Sequence, residues 1–267
     1  MIDAAIDGDR ESIRKLLPSD LASDEARPRV GRRWMIGSGI AAALAVAVAL
    51  PILQSPDAAP AVYATDAGSA KAVTLADGSQ IALSAASAVE IADHQHRIAL
   101  TRGAAVFDIR HDPSRQMTVT AGPYRITDIG TRFAIDTAPG HVSVAVAKGQ
   151  VSVTKANAQA VTVRAGYRLS SRGSAPPRLS PIALDSIGSW QRGRLVYDDA
   201  PLPMVAADIT RYLGTPIVLA PALGDRRFSG VLVIGNGSRL VSDLAGVAGL
   251  SVRRQDGAVM LGAGARP

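Results

Sequence analysis

The sequence contains no cysteine, which excludes disulfide bonds, thiolate zinc sites, iron–sulfur clusters and cysteine nucleophiles. Aromatic residues are also scarce, with 2 Trp, 5 Tyr and 3 Phe in 267 residues, too few to suggest a base-stacking platform for single-stranded nucleic acid. The formal net charge of +6 is modest, and no long basic stripe indicates DNA binding. Because 47% of the residues are hydrophobic and only 19% are charged, we expect a folded chain.

Motifs of common enzyme classes are missing as well. The sequence has no G-x-S-x-G elbow, no H-E-x-x-H pair and no P-loop, and no pair of carboxylates is placed by spacing for acid–base chemistry. We therefore expect neither a conventional enzyme nor a bound cofactor. His94 and His96 have the spacing of two metal ligands on an extended segment. Because no third ligand is evident, the sequence favours a solvated turn over a metal site.

One long uncharged segment is present. Residues 35–53 contain no charged side chain, and a helix of this length spans about 28 Å, close to the thickness of the hydrocarbon core. Arginines and Trp34 precede the segment, whereas no basic residue follows it before Lys71. The positive-inside rule then places residues 1–33, a short polar region, in the cytoplasm. The sequence predicts a single-pass helix over 34–53 in a bacterial inner membrane, with the C-terminal body in the periplasm.

Two alternatives for this segment stay open. Small residues near positions 58–64 offer a site at which a signal peptidase could cut. The pair Arg32-Arg33 ahead of a weakly apolar stretch also permits twin-arginine export. Both alternatives leave the C-terminal body in the periplasm, so the expected location of that body does not depend on the choice between them.

Residues 54–69, rich in Ala, Pro and Asp, are predicted as a linker. From about 70 to 171 apolar and polar residues alternate, which is typical of half-buried strands. Asp77-Gly78 is a strong hairpin signal because glycine accepts positive φ. The sequence predicts an all-β module of about ten strands over 70–171, of sandwich, barrel or stacked-hairpin type. The alternating sets are Val73/Leu75, Ile81/Leu83, Val89/Ile91, Ile98/Leu100, Phe107/Ile109, Met117/Val119, Phe133/Ile135, Val142/Val144/Val146, Val151/Val153 and Val161/Val163.

A second linker is predicted over 172–189, and the pattern then changes to strands separated by helical stripes. The two helical stripes align at an offset of 35 residues and are followed by Gly214 and Gly249, which are typical helix stops. Ser238 is a natural N-cap for the second helix. The sequence predicts a small α+β domain of two β-α-β units over 190–264. The predicted strands are 195–197, 216–219, 230–234, 250–252 and 259–261.

Five strings carry a resemblance to a known family. They are LADGSQIALSAAS (75–87), RIALTRGAAVFDI (97–109), TDIGTRFAI (127–135), VSVAVAKGQVSV (142–153) and VRAGYRLS (163–170). In this order they resemble the FecR family of membrane-bound sigma-factor regulators, whose pattern combines a D-G-S hairpin with G-T-x-F and V-x-V-x-x-G-x-V-x-V. The string W-x-x-G-x-L-x-x-x-x-x-P-L at 190–202 is similar to the short N-terminal (STN) domain of secretins and TonB-dependent receptors.

The resemblance implies a function in signal transduction. FecR-like proteins sense a siderophore through a TonB-dependent outer-membrane receptor, whose periplasmic signalling domain contacts the regulator. The regulator controls an extracytoplasmic-function sigma factor through its cytoplasmic N-terminus. Family members usually carry a longer cytoplasmic region with Trp residues, whereas none of residues 1–33 is Trp. The alternative is a membrane-tethered periplasmic scaffold or secretin-associated envelope protein that binds no sigma factor. Neither interpretation includes a nucleic-acid partner.

The resemblance also directs attention to Gly130-Thr131, because some FecR-like proteins cleave themselves at this dipeptide. The Thr131 hydroxyl would attack the Gly130 carbonyl to give an ester that water hydrolyses, which requires a strained peptide and a nearby base. Asp128 is close in sequence. The alternative is purely structural: Gly130 permits a tight start to the strand, and Phe133 packs inward.

A partner surface is expected on the strands of the C-terminal domain. Edge strands expose unpaired backbone groups and can accept a strand from a partner. The strands nominated for this role are 195–197 and 230–234. The residues predicted to bind the partner are Leu195, Val196, Tyr197, Val231, Leu232 and Val233.

Overall fold

The computed structural model describes residues 60–92, 96–156 and 158–264. The predicted cytoplasmic region 1–33, the predicted membrane helix 34–53 and His94 lie outside the described residues. Within the described ranges, no helix is long and apolar enough to cross a membrane.

Fourteen strands, β1 to β14, form the first part of the described chain. Side chains alternate between the two faces of each strand, so the alternating sequence places one apolar face toward the interior. The strands are Ala61–Ala64, Lys71–Thr74, Gln80–Leu83, Ala88–Ala92, Arg97–Arg102, Ala104–Asp108, Met117–Ala121, Tyr124–Asp128, Arg132–Ala138, His141–Lys148, Gln150–Lys155, Val161–Arg164, Tyr167–Arg172 and Arg178–Pro181.

The fourteen strands form two seven-stranded sheets. The first has the order β1-β4-β5-β7-β8-β11-β12, and the second has the order β14-β13-β10-β9-β6-β3-β2. Paired strands are antiparallel except β5 and β7, which run parallel. Buried residues of both sheets form a single core, which corresponds to the sandwich alternative. The ten predicted alternating sets lie in or beside strands, so the prediction of an all-β module is confirmed.

Both predicted linkers contain strands, which corrects the expectation. Within 54–69, strand β1 pairs with β4 from Ala61↔Ile91 to Ala64↔Ala88. Within 172–189, strand β14 pairs with β13, and a 3-10 turn follows at Leu184–Ser186. Both strands lie at the edge of a sheet, where one row of backbone groups needs no partner strand. Pro and Ala are tolerated at such positions, so a composition that is typical of a loop also fits these two strands.

The C-terminal domain contains five strands and two α-helices. These are β15 (Arg194–Pro201), α1 (Leu202–Leu213), β16 (Ile217–Leu219), β17 (Arg227–Val233), α2 (Leu240–Ala248), β18 (Leu250–Gln255) and β19 (Ala258–Ala263). A 3-10 turn, Ser189–Arg192, precedes β15. Both helices end at a left-handed glycine, Gly214 with φ +68° and Gly249 with φ +61°, so the predicted stops are confirmed. The apolar faces of both helices enter a second core.

The two repeats of the β-α-β pattern do not form two separate units in which the strands on either side of a helix pair with each other. Strand β15 pairs antiparallel with β17, while β16 pairs parallel with β19, which also pairs with β18. The strands that flank each helix therefore belong to different sheets, because the two repeats pair with each other. The predicted N-cap is also wrong: α2 begins at Leu240 with Arg239 as its N-cap, and the Ser238 hydroxyl instead donates to Asn236 Oδ1 at 2.6 Å.

Candidate functional site

The dipeptide Gly130-Thr131 lies at the start of β9, beside the end of β6. The Ile109 N–H donates to the Thr131 carbonyl at 2.9 Å. Gly130 has φ +142°, and a Cβ at this position would lie 2.3 Å from His111 Cα. Only glycine fits, because a side chain would clash with backbone atoms in a conformation that L-residues rarely adopt. No pattern in the sequence indicates the contact with His111, which lies 19 residues earlier.

The Thr131 side chain is buried and lacks a hydrogen bond. The Thr131 N–H donates to Asp128 Oδ2 at 3.2 Å. The other carboxylate oxygen, Asp128 Oδ1, and the hydroxyl oxygen Thr131 Oγ1 are both buried with no hydrogen-bond partner among the described residues. Unpaired buried polar groups are rare and costly. Residues 128–131 therefore contain both a hydroxyl group without a hydrogen bond, on Thr131, and a carboxylate that can accept its proton, on Asp128.

Phe133 shows the packing role that the structural alternative predicts. Its ring is fully buried and stacks on Phe107 with a centroid distance of 5.0 Å and an interplanar angle of 14°. The G-T-x-F string therefore places a glycine at a close approach and an aromatic ring in the core.

The six predicted partner-binding residues divide between the two faces of the β15–β17 sheet. Leu195, Tyr197 and Leu232 are buried in the core of the C-terminal domain, so their side chains are not available to a partner. The expectation is corrected for these three residues, because neighbouring side chains on a strand point to opposite faces.

The remaining three residues face away from the core. Val231 and Val233 are exposed by 53% and 61%, and Val196, which pairs with Val231, is half-buried. Among the described strands, β17 pairs only with β15, so one edge of β17 has no partner strand. The outer edge of β15 is likewise without a partner strand among the described strands, but the exposed Val231 and Val233 lie on β17.

Arg211 of α1 joins the C-terminal domain to the second seven-stranded sheet. Its guanidinium donates to Asp136 Oδ1 at 2.8 Å and to the Thr137 carbonyl at 3.0 Å, both in β9. It also donates to Asp208 Oδ1, one turn earlier in α1. Asp208 and Arg211 are both buried, so this ion pair is shielded from solvent and its removal would leave a charge unpaired.

Tyr197 completes this cluster. Its hydroxyl donates to the second Asp208 oxygen at 2.9 Å, and burial raises the pKa of the phenol well above its usual value because the phenolate would lose its hydration. A further contact joins the Ser84 and Tyr212 hydroxyls at 2.9 Å. Both domains belong to one compact unit, and sequence reasoning missed every one of these contacts.

Comparison with known proteins identifies the first domain. Residues 61–152 match the family model for FecR protein. This part of the chain is a FecR domain. A search of curated proteins finds no match for the chain. The match begins at β1, which confirms that the strand hidden in the predicted linker belongs to the FecR domain.

Two crystal structures of proteins from Parabacteroides distasonis ATCC 8503, each described as a candidate anti-sigma factor, are similar in fold. One is 17% identical, with a TM-score of 0.68, over 76% of this chain and 99% of the other. The second is 18% identical, with a TM-score of 0.67, over 75% of this chain and 98% of the other. At this identity the likeness shows the fold alone, and it extends beyond the FecR domain.

Metal-ligating groups do not cluster in the described part of the chain. No group of three or more His, Asp or Glu side chains there is arranged to hold an ion. His96 lies in the turn before β5. His141 of β10 bonds through Nδ1 to the Pro139 carbonyl at 3.0 Å.

Proposed function

We propose that this protein regulates an extracytoplasmic-function sigma factor from across the bacterial inner membrane. The observation that carries the proposal is the FecR domain at residues 61–152. The fold shared with proteins described as candidate anti-sigma factors supports it. The uncharged segment 35–53 is closely preceded by arginines and is followed by no Lys or Arg before Lys71. This asymmetry supports a topology in which residues 1–33 are cytoplasmic.

In this proposal the two ends of the chain have different partners. Residues 1–33 bind the sigma factor in the cytoplasm. In the periplasm, the signalling domain of a TonB-dependent receptor for a siderophore or other substrate adds a strand to the free edge of β17. The exposed side chains of Val231 and Val233 supply apolar contacts, and the backbone of β17 supplies hydrogen bonds.

Co-purification with the sigma factor tests the cytoplasmic half of the proposal. The full chain is expressed with an extracytoplasmic-function sigma factor from the same genome, and transcription from the sigma factor's promoter is measured. We expect the sigma factor to co-purify with the full chain and promoter activity to change with its expression. Deletion of residues 1–33 should abolish both effects. Unchanged promoter activity and no co-purification would favour the periplasmic scaffold instead.

A double substitution on β17 tests the periplasmic half. Val231→Lys with Val233→Lys should weaken binding of the receptor signalling domain by about tenfold or more, since both apolar contacts are lost and charged edges oppose strand addition. Val247→Lys is the matched control, because Val247 is as exposed but lies on α2. Equal binding by the double variant and the control would exclude the β17 edge.

We also propose that the chain cleaves itself between Gly130 and Thr131. The Thr131 hydroxyl oxygen attacks the Gly130 carbonyl carbon and passes its proton to the Asp128 carboxylate. The new C–O bond replaces the C–N bond, and the released Thr131 amine takes the proton. Water then hydrolyses the ester. The buried hydroxyl without a hydrogen-bond partner and the positive φ of Gly130 support this step.

Mass spectrometry of the purified chain tests self-cleavage. We expect fragments that end at Gly130 and begin at Thr131. Thr131→Val keeps the methyl group that occupies the space beside Gly149 but removes the nucleophile, and should abolish these fragments. Thr131→Ser keeps the hydroxyl and should retain them. The same fragments from Thr131→Val would rule out this chemistry.

A further inference from the structure

A cavity of about 330 Å³ lies between the FecR domain and the C-terminal domain. On one side it is lined by small residues of β9 and β10, including Ala134, Ser143 and Ala145. On the other side Trp190, Leu195 and Met204 supply apolar surface. The volume lies at the lower end of the range of small-molecule sites. Its apolar lining suits a short hydrocarbon body.

Three of the arginines that line this cavity are already neutralised. Arg211 bonds to two carboxylates, as described above, and Arg172 forms an ion pair with Asp225. Arg227 lies 3.2 Å from Asp199 Oδ2. These pairs leave little net charge of their own at the cavity wall.

Two further arginines in the lining, Arg168 and Arg178, form no ion pair with any described carboxylate. Arg168 Nη2 donates to the Asp198 carbonyl at 3.0 Å, and Arg168 Nε is buried with no hydrogen-bond partner among the described residues. Desolvation lowers the pKa of Arg168. Arg168 is half-buried, and the charges of Asp198 and Asp199 favour its charged form without an ion pair to either. Its buried Nε still has no acceptor among the described residues, so an anion that accepts from this group would offset the cost of its desolvation.

The strand register places the backbones of these two arginines diagonally opposite each other on one face of the sheet. Arg168 pairs with Ser180, and Arg178 pairs with Ser170. Paired residues of adjacent strands share a face, so Arg168 and Arg178 are diagonal neighbours about 7–8 Å apart at the backbone. The hydroxyl-bearing Ser170 lies opposite Arg178 and also lines the cavity. Two planar donor groups and a hydroxyl can therefore converge on a single oxyanion.

We propose that this cavity binds a small organic oxyanion, a carboxylate or a phosphate monoester with a short apolar body. The head group lies between Arg168, Arg178 and Ser170. The body packs against Trp190, Leu195 and Met204. Because the lining comes from both domains, the bound anion also holds the C-terminal domain on the FecR domain.

Fluorescence of Trp190 provides a direct measurement. The sequence contains two tryptophans, Trp34 and Trp190, so the full chain with Trp34→Phe reports on the cavity alone. The probes are 3-phenylpropionate and phenyl phosphate, with 3-phenylpropan-1-ol as the neutral control. We expect a saturable change in Trp190 emission with at least one anion, and its identity distinguishes a carboxylate from a phosphate site. The alcohol should bind at least about tenfold more weakly.

Variants of the same chain locate the binding site. Arg168→Gln and Arg178→Gln should each weaken binding of the anion by about tenfold. Arg253→Gln removes an exposed positive charge on β18, outside the cavity, and should leave the affinity unchanged. Arg178 is largely exposed, so its variant tests the site even if Arg168→Gln fails to fold. No saturable change with either anion, equal binding of the alcohol, or equal loss in Arg253→Gln would overturn the proposal.

Discussion

At the scale of single residues, the turn after β6 shows how local hydrogen bonds set the charge state of a carboxyl group. Asp112 accepts hydrogen bonds from the Ser114 hydroxyl at 2.6 Å, from Arg115 Nε at 2.7 Å and from the Ser114 N–H at 3.0 Å. Together these donors lower the pKa of Asp112 from 3.8 to about 2. Each favours the ionised form, and the Ser114 hydroxyl has the largest effect.

We predict that Ser114→Ala raises the pKa of Asp112 toward 3.8. Because the folded pKa is lowered, the contribution of Asp112 to stability is present above pH 3.8 and is lost as the pH falls toward about 2. The carboxyl carbon of Asp112, followed by NMR through an acid titration, reports this directly. A pKa near 3.8 in the unmodified chain would contradict the described turn.

Sequence reasoning found some of the important residues and missed others. The structural alternative expected Gly130 to permit a tight start to β9 and Phe133 to pack inward, and the positive φ of Gly130 and the buried ring of Phe133 agree with it. The contact with His111 could not be predicted, since it depends on how two strand ends meet. The inward orientation of Leu195, Tyr197 and Leu232 could have been inferred from strand alternation, and that signal was overlooked.

At the scale of elements, the buried strands were predictable and the edge strands were not. A strand with one face in the core needs apolar residues at alternate positions, and that requirement is visible in the sequence. Strands β1 and β14 contribute mainly backbone pairing at the sheet edges. Their side chains are largely exposed, so their sequence carries little of that pattern. The helix ends were predictable because the residue that ends a helix often has left-handed backbone angles, which glycine adopts most easily.

We predict opposite effects for two glycine-to-alanine substitutions in the helical elements. Gly214→Ala introduces a Cβ 3.1 Å from Ala67 Cβ at φ +68° and should destabilise the fold by about 1–2 kcal/mol. Gly246→Ala lies inside α2, where nothing lies within 4 Å of the new Cβ, and should stabilise it by about 0.5–1 kcal/mol. Denaturant unfolding measures both, and equal effects would contradict this description of the helix end.

At the scale of the whole molecule, the guanidinium group of Arg211 links the C-terminal domain to β9. No local pattern in the sequence indicates this contact. Arg211 and Asp136 are 75 residues apart in the chain. The sequence predicted both domains and their order, but periodicity describes only one element at a time. Contacts between elements follow from the three-dimensional arrangement, so the Arg211 cluster was found only in the structure.

We predict that Arg211→Met loosens this docking. The substitution leaves Asp208 buried without its cation, and breaking a buried pair in this way costs about 3–5 kcal/mol. Hydrogen exchange should accelerate in α1 and β9, and the unfolding midpoint should fall. Arg239→Gln removes an exposed arginine of a helix end and should change neither. Unchanged exchange in Arg211→Met would show that the cluster does not hold the domains together.

In the proposed topology, the FecR domain and the C-terminal domain lie outside the cytoplasm while residues 1–33 remain inside. A reporter fused to the C-terminus of the full chain tests this most directly. Alkaline phosphatase is active only after export, whereas green fluorescent protein exported in the unfolded state is dark. We expect active phosphatase and no fluorescence. A fluorescent fusion with inactive phosphatase would place the C-terminal body in the cytoplasm and contradict the proposed contact with an outer-membrane receptor.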